Sequence, residues 1–104
     1  MDTLSRLEQT IAARRAADPS QSYVASLHAK GLPQIARKLG EEGVEAAVAT
    51  LSGSDAELVG EAADILFHLL VALGARDIAL TDVLAELDRR EGTSGLEEKA
   101  ARSQ

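Results

Sequence analysis

Between Leu58 and Leu73 the chain is apolar around nearly the whole circumference of a helix, and its few polar residues fall on one stripe. Leu58, Val59, Ile65, Leu66, Phe67, Leu69, Leu70, Val71 and Leu73 surround the axis, whereas Glu57, Glu61, Asp64, His68 and Ala72 line up at about 100° per residue. A helix that is greasy on all sides has to be covered on several of them. A chain of 104 residues makes one small domain and has few other helices to spare for that. The expectation is therefore an all-α helical bundle completed by dimerisation, most simply a homodimer with this helix near its centre.

The remaining elements follow from periodicity and punctuation. Leu4, Leu7, Ile11 and Ala12 have helical spacing, so residues 2–17 read as an opening amphipathic helix that Asp18-Pro19-Ser20-Gln21-Ser22 breaks. A short helix at about 22–30 ends at Gly31, and a third runs from Pro33, harmless in a first turn, to about Leu51. Ser52-Gly53-Ser54 separates it from the apolar helix, which Ser54 or Asp55 caps and which reaches Gly74 or Ala75. A fifth helix is expected from Asp82 to about Arg90 with Thr81 as N-cap. Together these make a bundle of four to five helices, a single domain over residues 1–90. A polar tail over 91–104 carries at most a weak helical turn near Leu96–Ala101. No alternating stretch asks for a sheet.

Two acidic blocks carry the chemistry. Glu41-Glu42-Gly43-Val44-Glu45 and Glu61-Ala62-Ala63-Asp64 each place carboxylates three or four residues apart, on one face and about one turn from each other. In the third helix Glu42 shares its face with Ile35, Leu39, Ala46 and Ala49; Glu45 and Lys38 flank that face, and Glu41 lies further round. Like charges so arranged repel, and a bare carboxylate among apolar neighbours costs far more. A hard divalent cation with oxygen ligands stabilises such a set, Mg²⁺ above all and Mn²⁺ as a substitute. Glu42 and Glu45 from one helix would face Glu61 and Asp64 from its antiparallel neighbour across a narrow cleft. The alternative is an ordinary solvated charged face. Glu41 joins the metal shell, acts as a base toward water, or sits at the rim. His68 is either a ligand or a hydrogen-bonded histidine beside the carboxylates, and neither block holds the Glu-x-x-His element of di-iron bundles. Gly40 and Gly43 inside the helix suggest close helix contact, ligand approach or plain packing.

The motif Glu-Glu-x-x-Glu, then fifteen residues, then Glu-x-x-Asp resembles the metal-binding signature of the all-α nucleoside-triphosphate pyrophosphohydrolases, the MazG-like superfamily. Wider stretches are similar to the phosphoribosyl-ATP pyrophosphatase family: Ser22-Tyr23-Val24-Ala25-Ser26-Leu27, Ile35 to Glu42, Glu61 to Val71, Asp82 to Leu87 with Arg89-Arg90, and Gly92 to Lys99. The likeness spans nearly the whole chain; Phe67 stands where many relatives have tyrosine. It implies Mg²⁺-dependent hydrolysis of phosphoribosyl-ATP to phosphoribosyl-AMP and pyrophosphate, the second step of histidine biosynthesis. It also implies Glu42, Glu45, Glu61 and Asp64 as metal ligands, with Glu41 as a further acidic catalytic residue. Among the basic residues, Lys30, Arg37 and Lys38 precede the acidic block, with Lys38 the foremost choice for substrate phosphates. Arg89 or Arg90 would clamp a 5′-phosphate as a bidentate donor.

Charge and composition narrow the alternatives. A formal net charge of −6 argues against general nucleic-acid binding. Cysteine is absent, which removes disulfides and thiolate metal sites. The run Ile65 to Leu73 is short for a bilayer and the N-terminus lacks an apolar signal core, so no membrane partner and a cytoplasmic location are expected. Two other functions share these features: a house-cleaning pyrophosphohydrolase of noncanonical or surplus nucleoside triphosphates, and a non-enzymatic helical dimerisation module whose acidic stripe only solubilises it.

Overall fold

A computed structural model describes residues 2–92 and 95–102; Met1, Thr93, Ser94, Ser103 and Gln104, the last four within the expected tail, lie outside the described residues. The described residues form helices α1 (Thr3–Arg14), α2 (Tyr23–Lys30), α3 (Leu32–Ser52), α4 (Asp55–Ala75), α5 (Leu80–Arg90) and α6 (Gly95–Arg102), and no strand. The chain is thus all-α. In the tail, α6 is a helix where no more than a weak turn was expected.

Local chemistry sets most boundaries. Asp2 caps α1 by accepting from the Ser5 N–H at 2.8 Å. That helix stops at Arg14, short of the expected 17: Ala17 N–H bonds back to Arg14 O in a tight turn, and Pro19 disfavours helical backbone at Asp18. Ser22 caps α2, and Gly31, at φ 88°, reverses the chain into α3. Ser54 and Glu57 form a reciprocal capping box at the start of α4.

The start of α5 departs from expectation. It begins at Leu80, not Asp82, and its N-cap position is Ala79, which has no capping side chain. Glu8 of α1 supplies the acceptor instead, its Oε2 taking the Leu80 N–H at 2.7 Å. About two turns further on, Arg15 donates to the carbonyl of Gly74 at 3.2 Å near the end of α4. A carboxylate at one helix N-terminus and a guanidinium at another's C-terminus both complement the helix dipoles. In this way α1 clasps the corner between α4 and α5.

The two 21-residue helices α3 and α4 pack most extensively on each other, joined by a two-residue turn that makes them antiparallel. Helix α1 lies against α4, and α2 against α3. Ile11, Val24, Leu27, Ile35, Leu70, Val71 and Leu80 form the core, with Leu4, Leu7, Phe67 and Leu73 packed around it. Other apolar residues stay outside. Val44, Val48 and Leu51 on α3 are 65, 57 and 89% exposed, and Val59 and Leu66 on α4 are 69 and 44% exposed. By length and composition α4 is apolar enough to cross a membrane, longer than the run Ile65 to Leu73 alone suggests. Of its acidic residues, Glu61 approaches Glu42 and Glu45 of α3, while Asp55, Glu57 and Asp64 are exposed.

Candidate functional site

The facing sides of α3 and α4 bring three carboxylates together. Glu42, Glu45 and Glu61 each offer an oxygen, and these atoms lie within 4.8 Å of one another. Glu42 is 6% exposed, held in line with Ile35 and Ala49 on the buried face of α3. Its Oε2 and the Oε2 of Glu61 are buried with no hydrogen-bond partner. Carboxylate oxygens left without a partner in such a place are costly. The carboxyl of Glu61 is pushed above its ordinary value, chiefly by burial and then by Glu45, Asp64 and Glu42. Asp64, one turn along α4, is exposed; its charge acts on Glu61, but it stands outside the set of three.

Cations border this cluster. Lys38 reaches Glu41 at 3.5 Å and Glu42 at 3.8 Å, and Arg37 pairs with Glu41 at 2.9 Å. Glu41 is accordingly held below the usual carboxylate range by Arg37 first and then Lys38. It sits half-buried at the rim. Lys38 is held above its ordinary value, first by Tyr23, which gains negative charge in the same high-pH range, and then by Glu41 and Glu42. Lys30 is exposed in the last turn of α2. Arg89 and Arg90 both pair with Glu86 of their own helix, at 2.6 and 3.1 Å. Among the described residues, the ion pairs of Glu41 and Glu42 run to Arg37 and Lys38.

His68 is 5% exposed and spends both ring nitrogens inside the protein. Nδ1 lies 2.8 Å from the Asp64 carbonyl and Nε2 2.8 Å from the Tyr23 hydroxyl. A carbonyl only accepts, so Nδ1 carries a proton and donates it to Asp64 O, while Nε2 pairs with the Tyr23 hydroxyl. This is the hydrogen-bonded alternative for His68, with no lone pair left for an ion. Burial pushes the Tyr23 phenol up, and Glu42, Asp64 and Glu41 add to it against the opposing Lys38. Tyr23 thus borders the acidic cluster, a neighbour not anticipated from the sequence because it stands 45 residues from His68.

A β-carbon on Gly40 or Gly43 would meet nothing within 4 Å. Neither glycine is required by packing inside the chain, so close helix contact within one chain does not account for them.

The donor set fits a hard divalent cation: three converging carboxylates, two of them with unpartnered oxygens, and neither thiolate nor free imidazole among them. Residues 4–91 match the family model described as phosphoribosyl-ATP pyrophosphohydrolase. The phosphoribosyl-ATP pyrophosphatase of Erythrobacter litoralis is 68% identical over 102 residues, covering 98% of this chain and 98% of that protein. That of Rhizorhabdus wittichii is 66% identical, with 96% and 94% covered, and that of Novosphingobium aromaticivorans 63%, with 98% and 95% covered. The chain belongs to the phosphoribosyl-ATP pyrophosphohydrolase family.

Proposed function

We propose that this chain hydrolyses phosphoribosyl-ATP to phosphoribosyl-AMP and pyrophosphate, the second step of histidine biosynthesis, in the cytoplasm. The observation that carries the reading is the pair of buried, unpartnered oxygens on Glu42 and Glu61 inside a three-carboxylate cluster. In this reading Glu42, Glu45 and Glu61, with Asp64 as the fourth ligand, hold Mg²⁺, or Mn²⁺ in its place. When bound, such an ion orients phosphate oxygens, offsets charge on the leaving pyrophosphate and lowers the pKa of the attacking water.

The chain's own residues supply the rest. Water attacks the α-phosphorus, the bond to the bridging oxygen breaks, and pyrophosphate leaves. Lys38, already leaning over Glu41 and Glu42, meets phosphate oxygens beside the carboxylates. Glu41 is a weak base at its depressed pKa; it holds Arg37 and Lys38 in place at the phosphate side of the cleft. Lys30, Arg89 and Arg90 are assigned to the outer phosphates, the two arginines as a fork preorganised by Glu86.

The assembly is a homodimer in this reading, with no nucleic-acid or membrane partner. The exposed stripes Val44–Val48–Leu51 and Val59–Leu66 lie on the two adjacent long helices and together form the kind of face a four-helix core buries. They also cover α4 without a bilayer. The direct test supplies purified protein and Mg²⁺ with phosphoribosyl-ATP, dATP or dUTP and follows pyrophosphate release. Phosphoribosyl-ATP is expected to lead in kcat/KM by about a hundredfold or more. A preference for the deoxynucleotides, or release that survives a chelator, overturns the reading.

A further inference from the structure

Tyr23, which feels the charges of Lys38 and Glu42, also borders a cavity of about 440 Å³ whose walls include Arg14, Gln21, Ser22, Val24 and Phe67. The rings of Tyr23 and Phe67 stack at 6.0 Å with 21° between their planes, and His68 meets each of them edge-on, at 5.7 and 5.2 Å. These are the only two large aromatic rings of the chain, and both border this one cavity. Tyr23 remains 49% exposed, although its hydroxyl is committed to His68. That hydrogen bond fixes the ring's orientation while leaving its surface available for contact. Through His68, which holds the Asp64 carbonyl, the ring is anchored one turn from the acidic end of α4.

We infer that the cavity bordered by Tyr23 and Phe67 seats the purine base of the nucleotide substrate against the exposed surface of these rings, while its polyphosphate lies along Lys38 and the carboxylates. This inference rests on the pyrophosphohydrolase reading above and adds the subsite for the base. A flat heterocycle matches the faces of the two rings, which offer a phosphate no donors, and the polar groups of the cavity are left to Arg14, Gln21 and Ser22. Arg14 makes no ion pair among the described residues and can lie over a base by cation–π contact. Gln21 supplies both a donor and an acceptor for the edge of the ring. The cavity is within the size range of small-molecule sites. Its position also explains the immobilised phenol: a stacking wall that rotated freely would lose part of its contact to entropy.

The sequence provides the probe. Tyr23 is the one tyrosine and tryptophan is absent, so intrinsic emission reports this ring alone. Native protein is titrated with AMP, ribose 5-phosphate and pyrophosphate, with emission corrected for light absorbed by the nucleotide. AMP is expected to quench Tyr23 saturably, and the other two to leave its emission nearly unchanged. In parallel, Tyr23→Leu should raise KM for phosphoribosyl-ATP about tenfold, with a smaller change in kcat, and Tyr23→Phe should recover most of that loss. Equal quenching by ribose 5-phosphate, no quenching by AMP, or an unchanged KM in folded Tyr23→Leu overturns the subsite. Turnover of phosphoribosyl-ATP by the native protein is measured alongside. If it persists while AMP leaves Tyr23 untouched, only the subsite is wrong; if it is absent, the pyrophosphohydrolase reading fails whatever AMP does.

Discussion

Glu86 shows how single side chains here are tuned by their neighbours. Hydrogen bonds from Arg89 and then Arg90 push its carboxyl from 4.5 down to about 2. The unfolded chain therefore takes up this proton first as the solution is acidified. The stabilisation from the fork is complete above 4.5 and is lost as pH falls from there toward about 2. A carboxyl titration followed by NMR should find Glu86 titrating well below the other exposed glutamates, and Arg89→Gln should move it up toward the ordinary range. An ordinary value in the native protein contradicts the fork geometry. Burial of Glu42 was legible at this scale because it shares its helical face with Ile35 and Ala49. The same reading of Asp64 as lying beside apolar positions missed, since Asp64 is exposed and Glu61 is the residue of α4 whose oxygen is buried. The Tyr23–His68 bond was not legible, because periodicity relates residues only within one helix.

At the scale of elements, the helices whose ends are marked by their own residues were readable, and those capped from afar were not. Ser54 and Glu57 announce α4, and Gly31 with Pro33 announces α3. The first turn of α5 is instead closed by Glu8, 72 residues away, which local propensity cannot see; Thr81, an acceptable N-cap, therefore gave a start two residues late. This contact makes a prediction. Glu8→Ala should cost about 1 kcal/mol, lower the melting temperature by about five degrees and speed exchange of the Leu80 amide. Unchanged exchange at Leu80 would mean that Glu8 is not the cap. The early stop of α1 belongs to the same lesson, since a tight turn before Pro19 ended a periodicity that still looked helical.

For the whole molecule, the decisive feature is that α3 and α4 carry both the carboxylate cluster and a set of unburied apolar residues. The oily circumference of α4 is the ground for expecting an assembly, but which residues remain uncovered became visible only once the single chain was folded. Leu66→Glu places a charge in that face, and sedimentation should show it weakening self-association by about a hundredfold or more. A native protein that stays monomeric at high concentration removes the dimer. The carboxylate cluster spans the same two helices and sets them against each other by repulsion, so an ion that binds there stabilises the entire fold. Thermal unfolding in Mn²⁺ and in chelator, for the native protein and for Glu61→Gln, therefore tests the central claim most directly. Saturating Mn²⁺ should raise the native melting temperature by about ten degrees or more, while Glu61→Gln, relieved of repulsion, should start higher in chelator and gain little from the ion. An equal rise in both proteins, or none in either, would contradict a metal site built from Glu42, Glu45 and Glu61.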